Sequence, residues 1–365
     1  MDSHAILAPS SAARRMACPG SRHLESKYPQ EETEETKEGH AAHWLAAQAL
    51  TFAEIPDRIA PNGVEITEEM IDGADLYQEA VMRVCSNLAL LHVEEKVYIN
   101  VIHAECWGTP DCWYYNPENR KLYIFDYKFG YRFVEVYENW QLLEYAAGVV
   151  HHLLLSQVDE IVLTIVQPRS FHPRGAVRSW ALSFGELDNY ADILREAEAK
   201  AFNSVTECNP TPECRDCRAR FACPALQNAA LAAVEKSYLN IPHELTPAMV
   251  GNELRLLKNA HALLEARITG LEEQAIHLLK AGERLPFFHL EPSLGRTRWT
   301  VPSEQIIEMA KLLDVDISKP AEALTPKQAL NVGLSQEIVD AYSTTPFGGM
   351  KLTPDDLNKT RKLFK

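Results

Sequence analysis

The sequence contains no apolar run long enough to cross a membrane. Although 46% of its 365 residues are hydrophobic, polar residues interrupt every apolar stretch well before the length of a spanning helix, which is about 20 residues. The opening MDSHAILAPSSAARRMACPGS also lacks the continuous apolar segment of a secretory signal peptide. We therefore expect a soluble protein that works in the cytoplasm and has no membrane partner.

Positive charge is also scarce. The chain has 36 Lys and Arg against 51 Asp and Glu, a net charge of −15, which argues against a surface that is basic throughout. A local basic cleft remains compatible with this balance, and carboxylates are themselves ligands of metal-dependent sites. There is no internal repeat. The acidic tract YPQEETEETKEG at 28–39 is expected to be a mobile loop.

Eight cysteines in an intracellular chain of this length are not a disulfide framework. Cys85, Cys106 and Cys112 are scattered and are expected in the core. A fourth, Cys18, lies near the N-terminus. The remaining four fall in TECNPTPECRDCRARFACPAL, at Cys208, Cys214, Cys217 and Cys223. Their C-x2-C-x5-C core suits either zinc or an iron–sulfur cluster, since both accept four thiolates.

Hydrophobic periodicity predicts an α/β fold with a mixed sheet. Predicted strands lie at 95–103, 111–116, 121–128, 160–168 and 177–184. Predicted helices lie within 5–28 and at 40–53, 67–92, 138–155, 186–203 and 246–282. The sequence pattern changes after the cysteine-rich segment. We therefore expect two domains, one at 1–226 and a mainly helical one at 227–365. A small hairpin is predicted in FFHLEPSLGRTRWTV, followed by short helices.

The stretch GTPDCWYYNPENRKLYIFDYKFG brings acids and a lysine onto one predicted hairpin. Asp111 begins the first strand, and Asp126 and Lys128 end the second. Two carboxylates form an oxygen-rich site for Mg²⁺ or Mn²⁺. Lys128 is two residues after Asp126 and so shares its strand face, where it can hold an attacking water or stabilise charge on a phosphate. A D-x-K triplet is also common as a plain surface ion pair.

Two further features lie in the flanking helices. The upstream helix carries Gly39-x3-His43, which offers an imidazole ligand, although a lone histidine is more often structural. The helix after the hairpin carries Gln141 and Tyr145, four residues apart and therefore on one face. This pair can orient the lysine and contact a phosphate, although Gln and Tyr at this spacing usually only pack.

The order of these elements resembles the RecB-like nucleases of the PD-(D/E)XK superfamily. The motifs of that family run G-x-x-x-H, G-x-x-D, (D/E)-x-K and Q-x-x-x-Y. They match Gly39–His43, Gly108–Asp111, Asp126–Lys128 and Gln141–Tyr145 in this sequence. Many relatives carry Glu where this chain has Asp126, and both acids chelate metal. The resemblance implies a restriction-endonuclease-like mixed sheet flanked by helices.

The resemblance also assigns roles to individual residues. The implied ligands of Mg²⁺ or Mn²⁺ are the side chains of His43, Asp111 and Asp126 and the backbone carbonyl of Tyr127. Lys128 is implied to be catalytic, and Gln141 and Tyr145 complete the active site. Glu94 or Glu95 could assist, but the sequence does not support choosing either of them.

A subset of that family also carries a [4Fe–4S] cluster, which joins one cysteine before the nuclease motifs to C-x2-C-x5-C after them. The matching residues are Cys18, Cys214, Cys217 and Cys223. Such a cluster would clamp the two ends of the nuclease domain together. Cys208 is an alternative to Cys18 as fourth ligand, and zinc is an alternative occupant. The resemblance covers roughly residues 8–226, and APSSAARRMACPGS and GTPDC are similar to an uncharacterised family common in bacteriophages and prophages.

The implied function is a metal-dependent DNA exonuclease that acts on linear duplex ends in the host cytoplasm. Its expected setting is phage recombination or DNA end processing, with a single-strand annealing protein as a possible partner. A structure-specific endonuclease and a non-catalytic DNA-binding or assembly module are the alternatives. Six arginines near the cysteines are candidates for a basic surface that receives a DNA end: Arg14, Arg15, Arg22, Arg215, Arg218 and Arg220.

Overall fold

The computed structural model describes most of the chain up to Leu290. The described residues are 5–290 without 29–31, 54–57, 153–157, 171, 173, 204, 206 and 237–244. The chain divides into two compact units, Met1–Leu290 and Glu291–Lys365. The second unit lies outside the described residues, as do the terminal helices and most of the small hairpin predicted from sequence.

Five strands form one mixed sheet. The described strands are β1 (Leu91–Val93), β2 (Val97–Tyr98), β3 (Trp107–Gly108), β4 (Cys112–Asn116), β5 (Lys121–Tyr127), β6 (Glu160–Val166) and β7 (Val177–Ser183). The main sheet has the order β1-β4-β5-β6-β7, while β2 and β3 pair separately. Within the main sheet β5 and β6 are parallel and the other neighbours are antiparallel. The predicted mixed sheet is confirmed.

Helices flank this sheet. Those described are α1 (Ala12–Ala17), α2 (Ser21–Glu25), α3 (Glu34–Thr51), α4 (Glu68–Met82), α5 (Trp140–His152), α6 (Phe184–Asn203), α7 (Pro224–Lys236) and α8 (Pro247–Lys280). The predicted fold class, with helices around the sheet and a helical C-terminal region, is confirmed. The predicted domain boundary at 226/227 falls within α7, inside the first compact unit. No helix among the described residues is both long and apolar enough to cross a membrane.

The alternation of side chains along β5 separates two cores. Leu122 and Ile124 belong to a core that also contains buried residues of α5. Phe125 and Tyr127 belong to a second core, built with α3 and α4. Because side chains alternate between the two faces of a strand, Asp126 extends from the face that α5 covers.

The β4–β5 hairpin sets the position of Asp111. Its turn is fixed by Asn116, whose Oδ1 accepts the N–H groups of Glu118 at 2.9 Å and Asn119 at 3.4 Å, as asparagine often does in turns. The register pairs Cys112 with Phe125. Asp111, one residue before that pair, therefore lies beside the end of β5, where the second acid and the lysine emerge.

The acidic tract does not remain a loop throughout, so that prediction is wrong for its second half. Helix α3 begins at Glu34, because the Thr33 hydroxyl accepts the N–H of Thr36 at 3.2 Å and caps the helix. Glu34 and Glu35 occupy the first turn, where negative charge interacts favourably with the free N–H groups of a helix N-terminus.

Three predicted elements are shorter than expected. The helix predicted at 67–92 ends at Met82, and Asn87 begins a 3-10 turn at Leu88–Leu90 by accepting the N–H of Ala89 at 3.0 Å. Edge strand β1 follows and was not predicted. The strand predicted at 95–103 is reduced to β2, since the N–H of Ile102 bonds to Ile99 at 2.9 Å and turns the chain. Helix α5 begins at Trp140 rather than 138.

Candidate metal centre and cysteine cavity

Asp111 links helix α3 to strand β5. Its Oδ1 lies 3.3 Å from Nδ1 of His43, and its Oδ2 accepts the backbone N–H of Tyr127 at 2.6 Å. Burial alone would raise the pKa of Asp111, but the nearby His43 and Lys128 charges outweigh burial and lower it. The carboxylate is therefore ionised and held in one orientation.

Glu94, rather than Glu95, lies beside this pair. One ligand atom from each of His43, Glu94 and Asp111 lies within 4.8 Å of the others. Burial, followed by the charge of Asp111, raises the pKa of Glu94 to about 7. Glu95 instead bonds to His92. Because Val93 of β1 pairs with Cys112, the unpredicted edge strand is what places the next residue beside Asp111.

Asp126, Lys128 and Gln141 form a second group of contacts. The Lys128 ammonium lies 3.0 Å from an Asp126 oxygen and 3.3 Å from Gln141 Oε1. The amide of Gln141 also donates to Asp126 at 3.1 Å. Burial alone would lower the pKa of Lys128, but Asp126 and Asp111 outweigh it and raise that pKa. Lys128 thus keeps its charge although it is largely enclosed.

Tyr145 supports the turn that precedes Asp111. Its hydroxyl donates to the Thr109 carbonyl at 3.2 Å, and its ring is buried. A Cβ at Gly108 would lie 2.9 Å from both the Tyr145 ring and Pro9, so only glycine fits there. The contact of Tyr145 with a phosphate, which the sequence suggests, stays a prediction.

The two groups meet at one end of the sheet, on either side of β5. Every side chain that the sequence assigned to the metal or to catalysis lies there, with Glu94 added. The Tyr127 ring contacts His43 edge-on, with centroids 5.5 Å apart, while its carbonyl stays a predicted ligand. By contrast, Gly39 has open space where a Cβ would be, so packing does not require glycine at that position.

An open groove gives access to this end of the sheet. It begins at His43 and Glu94 and is bordered by further residues of α3 and by β1. Its other lining residues are His40, Trp44, Ala47, Gln48, Thr51 and Val93. His43 and Glu94 are therefore accessible from this groove.

The residues of the site fit a divalent cation. Asp126 is buried, and both of its carboxylate oxygens lie 3.0 Å from the Lys128 ammonium. Burial, partly offset by Lys128, raises the pKa of Asp126, as expected of a carboxylate crowded by other acids. The imidazole of His43 and the carboxylates of Glu94 and Asp111 form a donor set that Mg²⁺ and Mn²⁺ accept. Asp126 is not part of this 4.8 Å group, so its role as a ligand stays a prediction.

Comparison with known families covers both this centre and the cysteines. Residues 4–331 match the family described as Protein of unknown function (DUF2800). The chain belongs to this family. The matched region contains every residue of the centre and all eight cysteines, so both features lie inside the family domain.

Five cysteines of this family member line one enclosed cavity. They come from the end of α1 and from the segment that precedes α7: Cys18, Cys208, Cys214, Cys217 and Cys223. All eight cysteines of the chain are free thiols. The remaining three behave largely as predicted, since Cys106 and Cys112 lie in the two cores and Cys85 is half-buried.

Backbone donors point at two of these sulfur atoms. The N–H of Asn209 lies 3.3 Å from Cys18 Sγ, and that of Thr211 lies 3.4 Å from Cys214 Sγ. Gly20, two residues after Cys18, donates to the carbonyl of Glu207 at 2.8 Å. The N-terminal segment is thereby joined to the cysteine-rich one.

Cys208 is as much a part of the cavity as Cys18. Burial, followed by the neighbouring Cys18 and Cys223, raises the pKa of Cys208 to about 12. A Cβ at Gly20 would lie 2.9 Å from Cys208 Sγ. The positions of Cys18 and Cys208 therefore do not decide which of them is the fourth ligand. The preference for Cys18 stays a prediction.

The arginines near the cavity do not form the free basic surface that was considered. Arg15 is buried between Glu144 and Glu198, so it is lost from any such surface. The others are engaged as well: Arg14 and Arg218 with Glu25, Arg22 with backbone carbonyls of α6, Arg215 with Asp216, and Arg220 with Glu273.

Proposed function

We propose that this protein is a metal-dependent deoxyribonuclease that hydrolyses phosphodiester bonds. The observation that carries the proposal is the position of Lys128. Its ammonium is fixed by Asp126 and Gln141 beside a group of His43, Glu94 and Asp111 whose ligand atoms lie within 4.8 Å of one another. A plain surface ion pair would need neither the amide that orients it nor the adjacent histidine and acids.

His43, Asp111 and Asp126 would hold Mg²⁺ or Mn²⁺, with Glu94 as an additional ligand and the Tyr127 carbonyl as implied by the resemblance. The bound ion would polarise the phosphate and make water a better nucleophile. Glu94 would have to bind the ion as a carboxylate, so binding there would be favoured as the pH rises.

Lys128 would bind the scissile phosphate and stabilise the negative charge that increases there during attack. A preorganised cation of this kind contributes most in an enclosed site, where water screens it little. Gln141 holds the ammonium by accepting from it and holds Asp126 by donating to it. Tyr145 keeps the Gly108–Asp111 turn in place through Thr109.

We propose that the cysteine cavity holds a [4Fe–4S] cluster bound by Cys18, Cys214, Cys217 and Cys223. All four of these thiols line the same cavity, and the preference for the cluster rests on the resemblance. Zinc stays the alternative occupant, because tetrahedral zinc also accepts four cysteines. N–H groups directed at sulfur are also usual around iron–sulfur clusters.

The resemblance to RecB-like nucleases favours an exonuclease that acts on linear DNA ends in recombination or end processing. The test is cleavage of end-labelled linear duplex and of covalently closed circular DNA by the purified protein with Mg²⁺ or Mn²⁺. We expect linear DNA to be degraded and closed circles to be spared. Equal cleavage of nicked or closed circles would indicate an endonuclease, and no cleavage of any DNA with either metal would refute the nuclease proposal.

A further inference from the structure

Two exposed aromatic rings follow the lysine of the candidate site. Tyr131 is 66% exposed and Phe133 is 41% exposed, and both lie outside helices and strands. The residues between and before them, Gly130 and Arg132, are exposed as well. The rings therefore stand separately among polar groups and do not form the continuous apolar patch that is typical of a protein interface.

Contacts on one face of the Tyr131 ring fix its position. The Arg169 guanidinium lies 3.7 Å from the Phe129 ring centroid and 4.6 Å from that of Tyr131. Arg169 is itself fixed by two bonds to Glu38, at 2.8 and 3.1 Å, and one to Glu69 at 2.8 Å. Because these cation–π and ionic contacts fix one side of the ring, a ligand that stacks on the other side need not order it.

Phe133 is supported in a similar way. Its ring stacks on that of His172, with centroids 4.5 Å apart and an interplanar angle of 15°. The Arg178 guanidinium lies 4.8 Å from the same ring, and Arg178 is buried and bonded to Gln167 at 2.8 Å. Both exposed rings thus rest on buried arginines. Arg169 is held by acids of α3 and α4, and Arg178 is held by its place in β7.

Two chain distances place Tyr131 near the candidate metal centre. Tyr131 is three positions after Lys128, so their Cα atoms lie at most about 11 Å apart. Through Arg169 it is also tied to Glu38, which is five residues, or about 7.5 Å of helix rise, from His43. A stacked strand rises about 3.4 Å per nucleotide. The distance from Lys128 to Tyr131 therefore spans at most about three nucleotides.

We propose that Tyr131 and Phe133 are a stacking platform for the bases of single-stranded DNA, next to the scissile phosphate. This inference rests on the proposed nuclease function and names its substrate as a single strand or the frayed end of a duplex. Aromatic rings stack with every base and so bind single strands without sequence preference. A paired base inside a duplex has both faces covered by its neighbours and offers no face to these rings.

Stacking, rather than attraction to phosphate, accounts for binding at this platform. The exposed guanidinium groups nearby are already paired, Arg132 with Asp216 at 2.8 Å and Arg174 with Glu135 at 3.0 Å. The contribution of the rings should therefore be largely independent of salt, unlike that of phosphate contacts. This gives the proposal a signature that a basic surface would not share.

The test is binding of a fluorescein-labelled oligo-dT of about 15 nucleotides, measured by anisotropy in EDTA so that no cleavage occurs. We expect Tyr131→Ala to weaken binding about fivefold or more, at low and at moderate salt alike. Tyr131→Trp should restore binding. Phe184→Ala is the matched control, because Phe184 is 44% exposed and follows Ser183, which pairs with Glu160 at the opposite end of the sheet.

Wild-type affinity in both Tyr131→Ala and Phe133→Ala would overturn the platform and leave the rings as a contact surface for another protein. An equal loss in Phe184→Ala would overturn it too. The nuclease assay is separate from this measurement. Cleavage by a wild type whose Tyr131→Ala and Phe133→Ala variants both bind normally refutes the platform alone. Binding that depends on either ring without any cleavage refutes only the nuclease.

Discussion

Gln141 is the side chain that determines where the Lys128 ammonium lies. It accepts from Lys128 and donates to Asp126, so one amide sets the distance between the cation and the acid. Without it, Lys128 could rotate toward either carboxylate of the site. The helix position of Gln141, in the first turn of α5, keeps the amide fixed while β5 holds the other two residues.

We expect Gln141→Ala to lower the cleavage rate about 10- to 100-fold, because a displacement of about 1 Å in a catalytic group has effects of that size. The fold should persist, as the side chain is only half-buried. The measurement is single-turnover cleavage of linear DNA, with Gln227→Ala on the exposed face of α7 as control. An undiminished rate in Gln141→Ala would show that the amide does not position Lys128.

The sequence was sufficient for the residues that regular spacing brings together. Asp126 and Lys128 share a face because strand side chains alternate, and Asp111 follows from the short hairpin turn at Asn116. Glu94 could not be chosen in advance. Its position depends on β1, an edge strand of three residues that pairs with β4. Three residues are too few to show the alternating sequence pattern of a strand.

Three helices meet at a buried group of charges. Arg15 of α1 bonds to Glu198 of α6 at 2.6 Å and lies 3.4 Å from Glu144 of α5. Cys106 also donates to Glu144, at 3.6 Å. One guanidinium between two buried carboxylates leaves excess negative charge, which is costly in a core. Burial raises the pKa of Glu144 well above its usual value, and the charge of Glu198 adds to this effect. The charge of Arg15 opposes it but is outweighed.

This raised pKa predicts how stability depends on pH. Folded Glu144 retains its proton when the unfolded chain has released it, so stability falls as pH rises above the unfolded pKa of about 4.3. Glutamine cannot ionise. The unfolding free energy of Glu144→Gln, minus that of the wild type, should therefore increase between about pH 5 and 8.

Urea unfolding at both pH values measures this difference, with Glu196→Gln on the exposed face of α6 as the matched substitution. A difference that stays constant across the range for Glu144→Gln would contradict a proton on that carboxyl. No sequence pattern indicates this group, because its three charged members are 54 or more positions apart. The cluster of arginines near the cysteines instead suggests a surface position for Arg15.

At the scale of the whole molecule, the segment from Leu7 to Cys18 connects the two candidate sites. Pro9 packs against Gly108 at the metal centre, and Arg15 ties the segment to α5 and α6. Its last residue, Cys18, lines the cysteine cavity. The cysteine spacing could be read from the sequence, whereas this connection through Pro9 and Arg15 depends on tertiary packing.

Protein prepared without oxygen should be brown and contain about four irons per chain. Cys18→Ser should lose the colour and lower stability, since Cys18 is the one ligand that arrives from the N-terminal segment. Cys208→Ser should retain both. Iron content, visible absorption and thermal unfolding of the two variants decide the matter. Colour that survives Cys18→Ser but not Cys208→Ser would reverse the assignment of the fourth ligand, and one zinc in a colourless protein would replace the cluster.

The most direct measurement of the central claim is the Mg²⁺- or Mn²⁺-dependent cleavage rate of Lys128→Met on linear DNA. Lys121→Met is the matched control, because Lys121 begins the same strand and pairs with Glu160 at the surface. The loss of a preorganised charge at the scissile phosphate should lower the rate of Lys128→Met at least about 100-fold, while Lys121→Met cleaves like the wild type. Wild-type cleavage by Lys128→Met would contradict the account.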